Sequence, residues 1–320
     1  MTVLTLPAQP GQDAGRAVEA VPWRRMIWVT WAQHRAMLIS LTAVLAAVAG
    51  FLIGMGLYVH HNFSALMAAC HPQAAQACQA LNRSFNTTDW TIANTVLVLM
   101  NFAPALIGAF TGPAMIAREL ETGTFRYAWT QGIGRVRWTI AKLVLLGVVI
   151  TVLSWALSQV FSWFYAPILL QQDSLTVLSA TVFDTHGIAF AAWCLMAFTL
   201  GAFLGMLLRR VIAAMAATLG GYLGLGVLTW VFLRPRYPVA LITSNASLFN
   251  DQGGPGSFPG TTPDNSPWVL STWTAGHTPW WRYIPVSRFW PMQLIEGGWL
   301  LVLSALLALA TVWLVRRTVA

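Results

Sequence analysis

The charge-dense stretch of this chain that stands between long apolar runs holds five of its basic residues and two of its acids. It reads Arg118-Glu119-Leu120-Glu121-Thr122-Gly123-Thr124-Phe125-Arg126 and continues through Arg135 and Arg137 to Lys142, the only lysine. Long apolar runs lie on both sides of it. Interleaved carboxylates and guanidinium groups suit ion-pair docking between proteins rather than bond-making chemistry. Thr122-Gly123-Thr124 allows a turn followed by a fresh helix cap. No catalytic residues are read elsewhere. GxxxxGK[ST], HExxH and GxSxG are all absent, so the chain has no P-loop, zincin or hydrolase signature. His60, His61 and His71 lie near Cys70 and Cys78, but their spacing matches no zinc pattern, and no metal is expected.

The elements that must position this stretch are membrane spans. Of 320 residues, 57% are hydrophobic and 9% charged, against about 25% charged in a soluble domain. The sequence pI of about 10.1 reflects arginine-rich loops. A nucleic-acid partner is excluded, because no soluble basic domain is present.

The expected fold is an all-α polytopic membrane protein with six transmembrane helices. Residues 1–21 are polar and expected to be a disordered cytoplasmic N-terminus. Residues 22–36, PWRRMIWVTWAQHRA, form an expected interfacial helix with basic and aromatic side chains, the alternative being an extension of the first span. The transmembrane domain takes 37–320, with spans near 37–58, 91–116, 140–166, 186–208, 211–233 and 297–315. A cytoplasmic loop, 117–140, holds the charged stretch. Extracellular segments are 60–89 and 234–296. In this topology the inner side holds thirteen basic and four acidic residues, the outer side five and six. That asymmetry places both termini in the cytoplasm of a bacterial plasma membrane.

Within the spans, Gly108/Gly112 and Gly201/Gly205 are GxxxG pairs that favour close helix contact, and the glycines at 220, 221, 224 and 226 suggest a closely packed fifth span, with a subunit interface as one place for that packing. Asn94 and Asn101 share one helical face. Ser154, Ser158 and Ser162 form a stripe that either lines a translocation path or stabilises helix packing. Cys70 and Cys78 share one outer loop, and a disulfide between them is compatible with their spacing but not required by it. The aromatics from Trp268 to Trp290 read as short interfacial or re-entrant helices before the last span. No predicted span carries an acid or base in its middle, which counts against a proton- or ion-coupled carrier and against an intramembrane enzyme.

From about Pro22 onward the chain resembles ABC-2 type permeases, the membrane subunits of ABC exporters. The resemblance rests on the six spans, the N-terminal helix, the charged loop and the long outer segment before the last span. It also rests on the text Arg-Glu-Leu-Glu-Thr-Gly-Thr-Phe-Arg, Trp-Thr-Gln-Gly, Arg-Trp and Ala-Lys-Leu, and on Ser287-Arg288-Phe289-Trp290-Pro291. The resemblance implies a coupling helix in the first inner loop that docks on a separate ATPase. Arg118, Glu119, Glu121, Gly123, Thr124, Arg126, Arg135 and Arg137 are its candidate contacts. It also implies two ATPase copies carrying ATP and Mg, a second permease subunit (identical or similar), and surrounding membrane lipid. The chain itself would hold no cofactor. Apolar, aromatic spans suit an amphipathic or lipid-like substrate moved by alternating access. Two other classes remain open: a carrier or channel without a motor, and a non-transporting scaffold or sensor.

Overall fold

The computed structural model describes residues 22–70, 75–123, 134–171, 178–237, 241–244, 268–275, 278–284 and 286–317. In chain order they form α1 (Trp23–Cys70), α2 (Ala75–Ser84), α3 (Trp90–Thr122), α4 (Arg135–Gln171), the short α5 (Ala180–Phe183), α6 (Gly187–Leu208), α7 (Val211–Leu228), β1 (Leu241–Thr243), β2 (Trp268–Ala275), β3 (Thr278–Ile284) and α8 (Phe289–Arg317). A π-helical turn, Phe85–Asp89, joins α2 to α3. A π turn, Thr229–Leu233, and a 3-10 turn, Arg234–Arg236, extend α7. The helices α1, α3, α4, α6, α7 and α8 are long and apolar enough to cross a membrane, and the all-α polytopic expectation holds.

The centre is α6. It carries no charged residue, its buried face is mostly alanine, glycine and aromatic, and it packs against α3, α4, α7 and α8. Its approach to α3 is the closest in the bundle, because the two GxxxG pairs mate. A Cβ on Gly108 would lie 2.5 Å from Ala197 backbone and side-chain carbons, and one on Gly201 would lie 2.7 Å from the Gly108 carbonyl oxygen. Small residues let backbones meet where no side chain could be accommodated. The fifth-span glycines differ. Gly220, Gly224 and Gly226 have nothing within reach of an added Cβ, and only Gly221 meets a neighbour, Leu200 at 3.1 Å. The glycine-rich face of α7 is therefore not closely packed within the described chain.

The helices alternate in direction, giving the bundle two ends. One gathers the α1 start, the 123–134 connection and the Arg209–Arg210 turn, and is called the basic end. The other holds a disulfide between Cys70 and Cys78, Cα atoms 5.0 Å apart, and is called the disulfide end. There Asn62 Nδ2 donates to Asp89 Oδ1 at 3.0 Å, tying α1 to the start of α3.

Three expectations about elements change. Residues 22–36 are not a separate interfacial helix but the first part of α1, which runs unbroken for 48 residues. Between Ala36 and Met37 the sequence has no proline or glycine to end a helix; only the polarity changes. The segment 60–89, expected as a loop, is largely helical, through the end of α1, α2 and the π turn. The expected re-entrant helices before the last span are instead an antiparallel three-stranded sheet, order β1-β3-β2. Its two longer strands are rich in β-branched and aromatic residues, which fit a pleated surface. In composition these strands look like an interfacial aromatic belt, and neither shows an apolar/polar alternation that would mark it as a strand. The call for residues 1–21 lies outside the described residues.

Candidate functional site

The base of the charged stretch is built by the ends of three helices. The α3 helix ends at Gly123, whose φ of 71° is the left-handed conformation that glycine adopts at a helix C-terminus without penalty. One turn earlier, Glu119 forms an ion pair with Lys142 of α4. Lys142 is fully buried, and its ammonium lies 3.6 Å from the Trp138 ring centroid, an electrostatically favourable arrangement over an aromatic face. Glu121 Oε1 accepts the Val211 backbone N–H at 2.9 Å. It thus places a carboxylate on the N-terminus of α7, where unsatisfied N–H groups favour negative charge. Arg137 lies over the Trp23 ring at 4.7 Å, joining the starts of α4 and α1. Arg118 and Arg135 are exposed at this end. Three buried polar atoms here, His34 Nε2, Glu119 Oε2 and Trp138 Nε1, have no hydrogen-bond partner among the described residues, a costly state for buried groups. Thr124 and Arg126 lie outside the described residues.

Glu119 and Glu121 each have an intrachain partner, Lys142 and the Val211 N–H, which the sequence reading did not foresee. Sequence reasoning placed Lys142 in water at the loop's edge. It lies in α4, and burial of a lysine demands the carboxylate that Glu119 supplies.

The path candidates do not converge on a channel. Asn94 is exposed on α3. Asn101 Nδ2 donates to the carbonyls of Leu97 and Thr181, at 2.8 and 3.0 Å. Ser158 Oγ donates to the Thr185 carbonyl at 3.2 Å, and Ser162 donates to the Ser158 carbonyl at 2.8 Å. Ser154 is buried beside Cys194 of α6. Ser154 and Ser158 thus face α6 and its leading turn, whereas Ser162 bonds to its own helix.

A second polar site escaped the sequence reading. Arg234, at the end of the α7 extension, is buried and forks onto Glu296 of α8. Its Nε donates to Oε2 at 2.9 Å and its Nη2 to Oε1 at 2.7 Å. Nη2 also contacts Asp184, in the turn before α6. Glu296 is fully buried and accepts further bonds from Trp193 Nε1 at 3.0 Å and Tyr237 OH at 3.2 Å. Burial pushes the Asp184 carboxyl up to about 7; Arg234 opposes that shift and Glu296 adds to it. Burial likewise lowers neighbouring His186 to about 4. Lys142, Arg234 and Glu296 are thus buried charges near the ends of spans, where the sequence reading expected water. Hydropathy assigned these residues to water because each sits near the end of an apolar run. The available signal was Gln293 and Glu296, two polar residues at i and i+3 on one face of an otherwise apolar helix.

Between α1 and α3 lies an apolar groove of about 500 Å³. Val44, Phe51, Leu99, Leu106 and Phe110 line its walls, with Leu157 of α4 beneath. Its two hydroxyls are already used inside their own helices, Ser40 on the Met37 carbonyl and Thr111 on the Ile107 carbonyl.

Comparison with known families adds an independent finding. The family model described as ABC-2 membrane transporter related matches residues 42–234, from the middle of α1 to the buried arginine after α7. Neither a curated protein nor a solved structure matches the chain. The family match spans more than half of the chain and agrees with its six membrane-crossing helices: this multi-pass membrane protein belongs to the ABC-2 membrane transporter related family.

Proposed function

We propose that the chain is the membrane subunit of an ATP-driven exporter, working as one of two permease subunits with two copies of a separate ATPase. ATP and Mg bind the partner, and this chain performs no bond chemistry. Its basic end faces the cytoplasm, in keeping with the arginines gathered there. The substrate is amphipathic or lipid-like, which the apolar groove between α1 and α3 favours.

The observation that carries this reading is the anchoring of the 123–134 connection. Glu119 ties its approach to α4, and Glu121 ties it to the first residue of α7. A displacement of the connection by a docked ATPase is thereby passed to two spans at once. The spans then reorient and alternate access to the two sides. Partner contact falls on the exposed Arg118 and Arg135 and on the connection itself, while the acids transmit.

Glu121→Ala tests the division of roles. A carboxylate acceptor at a helix start contributes about 0.5–2 kcal/mol, so the variant is expected to insert and to pull down the ATPase normally. Its substrate-stimulated ATP hydrolysis in reconstituted membranes falls several-fold. Loss of the pull-down would return Glu121 to the docking surface. Normal binding with normal stimulation would remove the connection from the coupling route.

A further inference from the structure

The turn 181–187 is a junction held by side chains from three spans. Asn101 of α3 donates to the Thr181 carbonyl. Ser158 of α4 donates to the Thr185 carbonyl. Gln293 Nε2 of α8 donates to the His186 carbonyl at 3.2 Å, and its Oε1 accepts the Ala189 N–H at 2.7 Å. Asp184 sits in the middle of this turn and shares Nη2 of Arg234 with Glu296.

The charges do not balance. Two carboxylates within hydrogen-bond reach of each other share one guanidinium. With both ionised, the buried cluster keeps one uncompensated negative charge, an arrangement that low-dielectric surroundings resist. The other polar or titratable groups facing the cluster are Tyr222 of α7, Tyr237 after it, Trp193 of α6 and His186 in the turn itself. None of them supplies a positive charge, since burial keeps His186 neutral. Glu296 accepts bonds from Arg234, Trp193 and Tyr237, which fixes it as the ionised member. Asp184 has fewer donors among the described residues and is 28% exposed, so it has access to water.

We infer that Asp184 is a proton-binding group through which the junction of α3, α4, α6 and α8 at the disulfide end responds to pH. Protonated, Asp184 leaves Arg234 committed to Glu296 and α8. Ionised, it competes for the shared Nη2 and draws the guanidinium toward the turn. The two protonation states thus divide one arginine differently between α8 and the segment leading into α6. This inference goes beyond export and does not depend on it, because its test requires neither ATPase nor transport.

The sign follows from linkage. A carboxyl whose folded pKa is raised makes a stabilising contribution that is present in acid and lost as pH rises through the folded value. The experiment uses the full-length protein in lipid nanodiscs, titrated from about pH 5 to about pH 8.5. Infrared difference spectra should show a protonated-carboxyl carbonyl band that disappears as pH rises past about 7, with a parallel fall in melting temperature. Asp184→Asn, which mimics the protonated form, should lose the band and flatten the thermal profile at the acidic level. Absence of any titrating buried carboxyl in the unaltered protein would overturn the inference. So would an unchanged band and slope in Asp184→Asn. Loss of the band in Glu296→Gln together with its persistence in Asp184→Asn would move the proton to Glu296 and also overturn the assignment.

Discussion

Arg234 and Glu296 stand 62 residues apart and depend on each other in the folded state. Removing one member of a buried ion pair costs about 3–5 kcal/mol, because the other charge stays behind. Arg234→Met alone should therefore lower the melting temperature in detergent by roughly ten degrees or more, given about 2–4 °C per kcal/mol for chains of this order of size. The Arg234→Met/Glu296→Met double variant should recover much of that loss. A double variant no better than the single would mean that the pair contributes more than mutual compensation. At this scale the sequence was only partly readable. The positive φ at Gly123 followed from a glycine at the end of a helix pattern, and the acids at 119 and 121 stood out as unneeded for topology. Their partners could not be found in the text, because Lys142 lies 23 residues and Val211 90 residues away. Ion pairing over such distances is fixed by helix packing, which one-dimensional patterns do not encode.

Among the elements, the mated glycine pairs make the sharpest demand. Gly201→Val would place branched carbons against the Gly108 carbonyl and Pro113, at separations that begin at 2.7–2.8 Å for the Cβ alone. Backbone cannot retreat cheaply at a packed helix crossing, so α3 and α6 should part and the protein should lose expression or unfold at lower temperature. Gly224→Val meets nothing within the described chain and should leave the melting temperature of the detergent-dispersed subunit unchanged. If Gly224→Val nevertheless halves the mass measured in mild detergent, α7 is where a second permease subunit packs. The helices and their GxxxG pairs were legible from length, hydropathy and small-residue spacing. That the two pairs mate with each other was not, since either could have faced a partner subunit. The sheet before α8 was not legible for a different reason: tryptophan and tyrosine are equally at home in a strand and at a membrane interface, and its strands carry no apolar/polar alternation to decide between the two.

For the molecule as a whole, the orientation we propose rests on the arginines at the basic end and is open to direct test. With the basic end in the cytoplasm, Cys70 and Cys78 lie outside. Impermeant thiol reagents on intact cells should then label this pair after mild reduction and leave buried Cys194 unlabelled. Labelling of the pair only after membrane rupture would invert the assignment. The unbroken course of α1 adds a mechanical property to this picture. At 48 residues it is about 72 Å long, more than twice the roughly 30 Å hydrocarbon thickness it has to cross. It contains no proline that would act as a joint. One tip meets Arg137 at the base of the connection, and the other is bonded through Cys70 to Cys78 of α2 at the disulfide end. Such a rod is a lever pivoting in the bilayer: a tilt of about 10° about its midpoint carries each tip through about 6 Å, so a small swing at one surface arrives undiminished, and reversed, at the other.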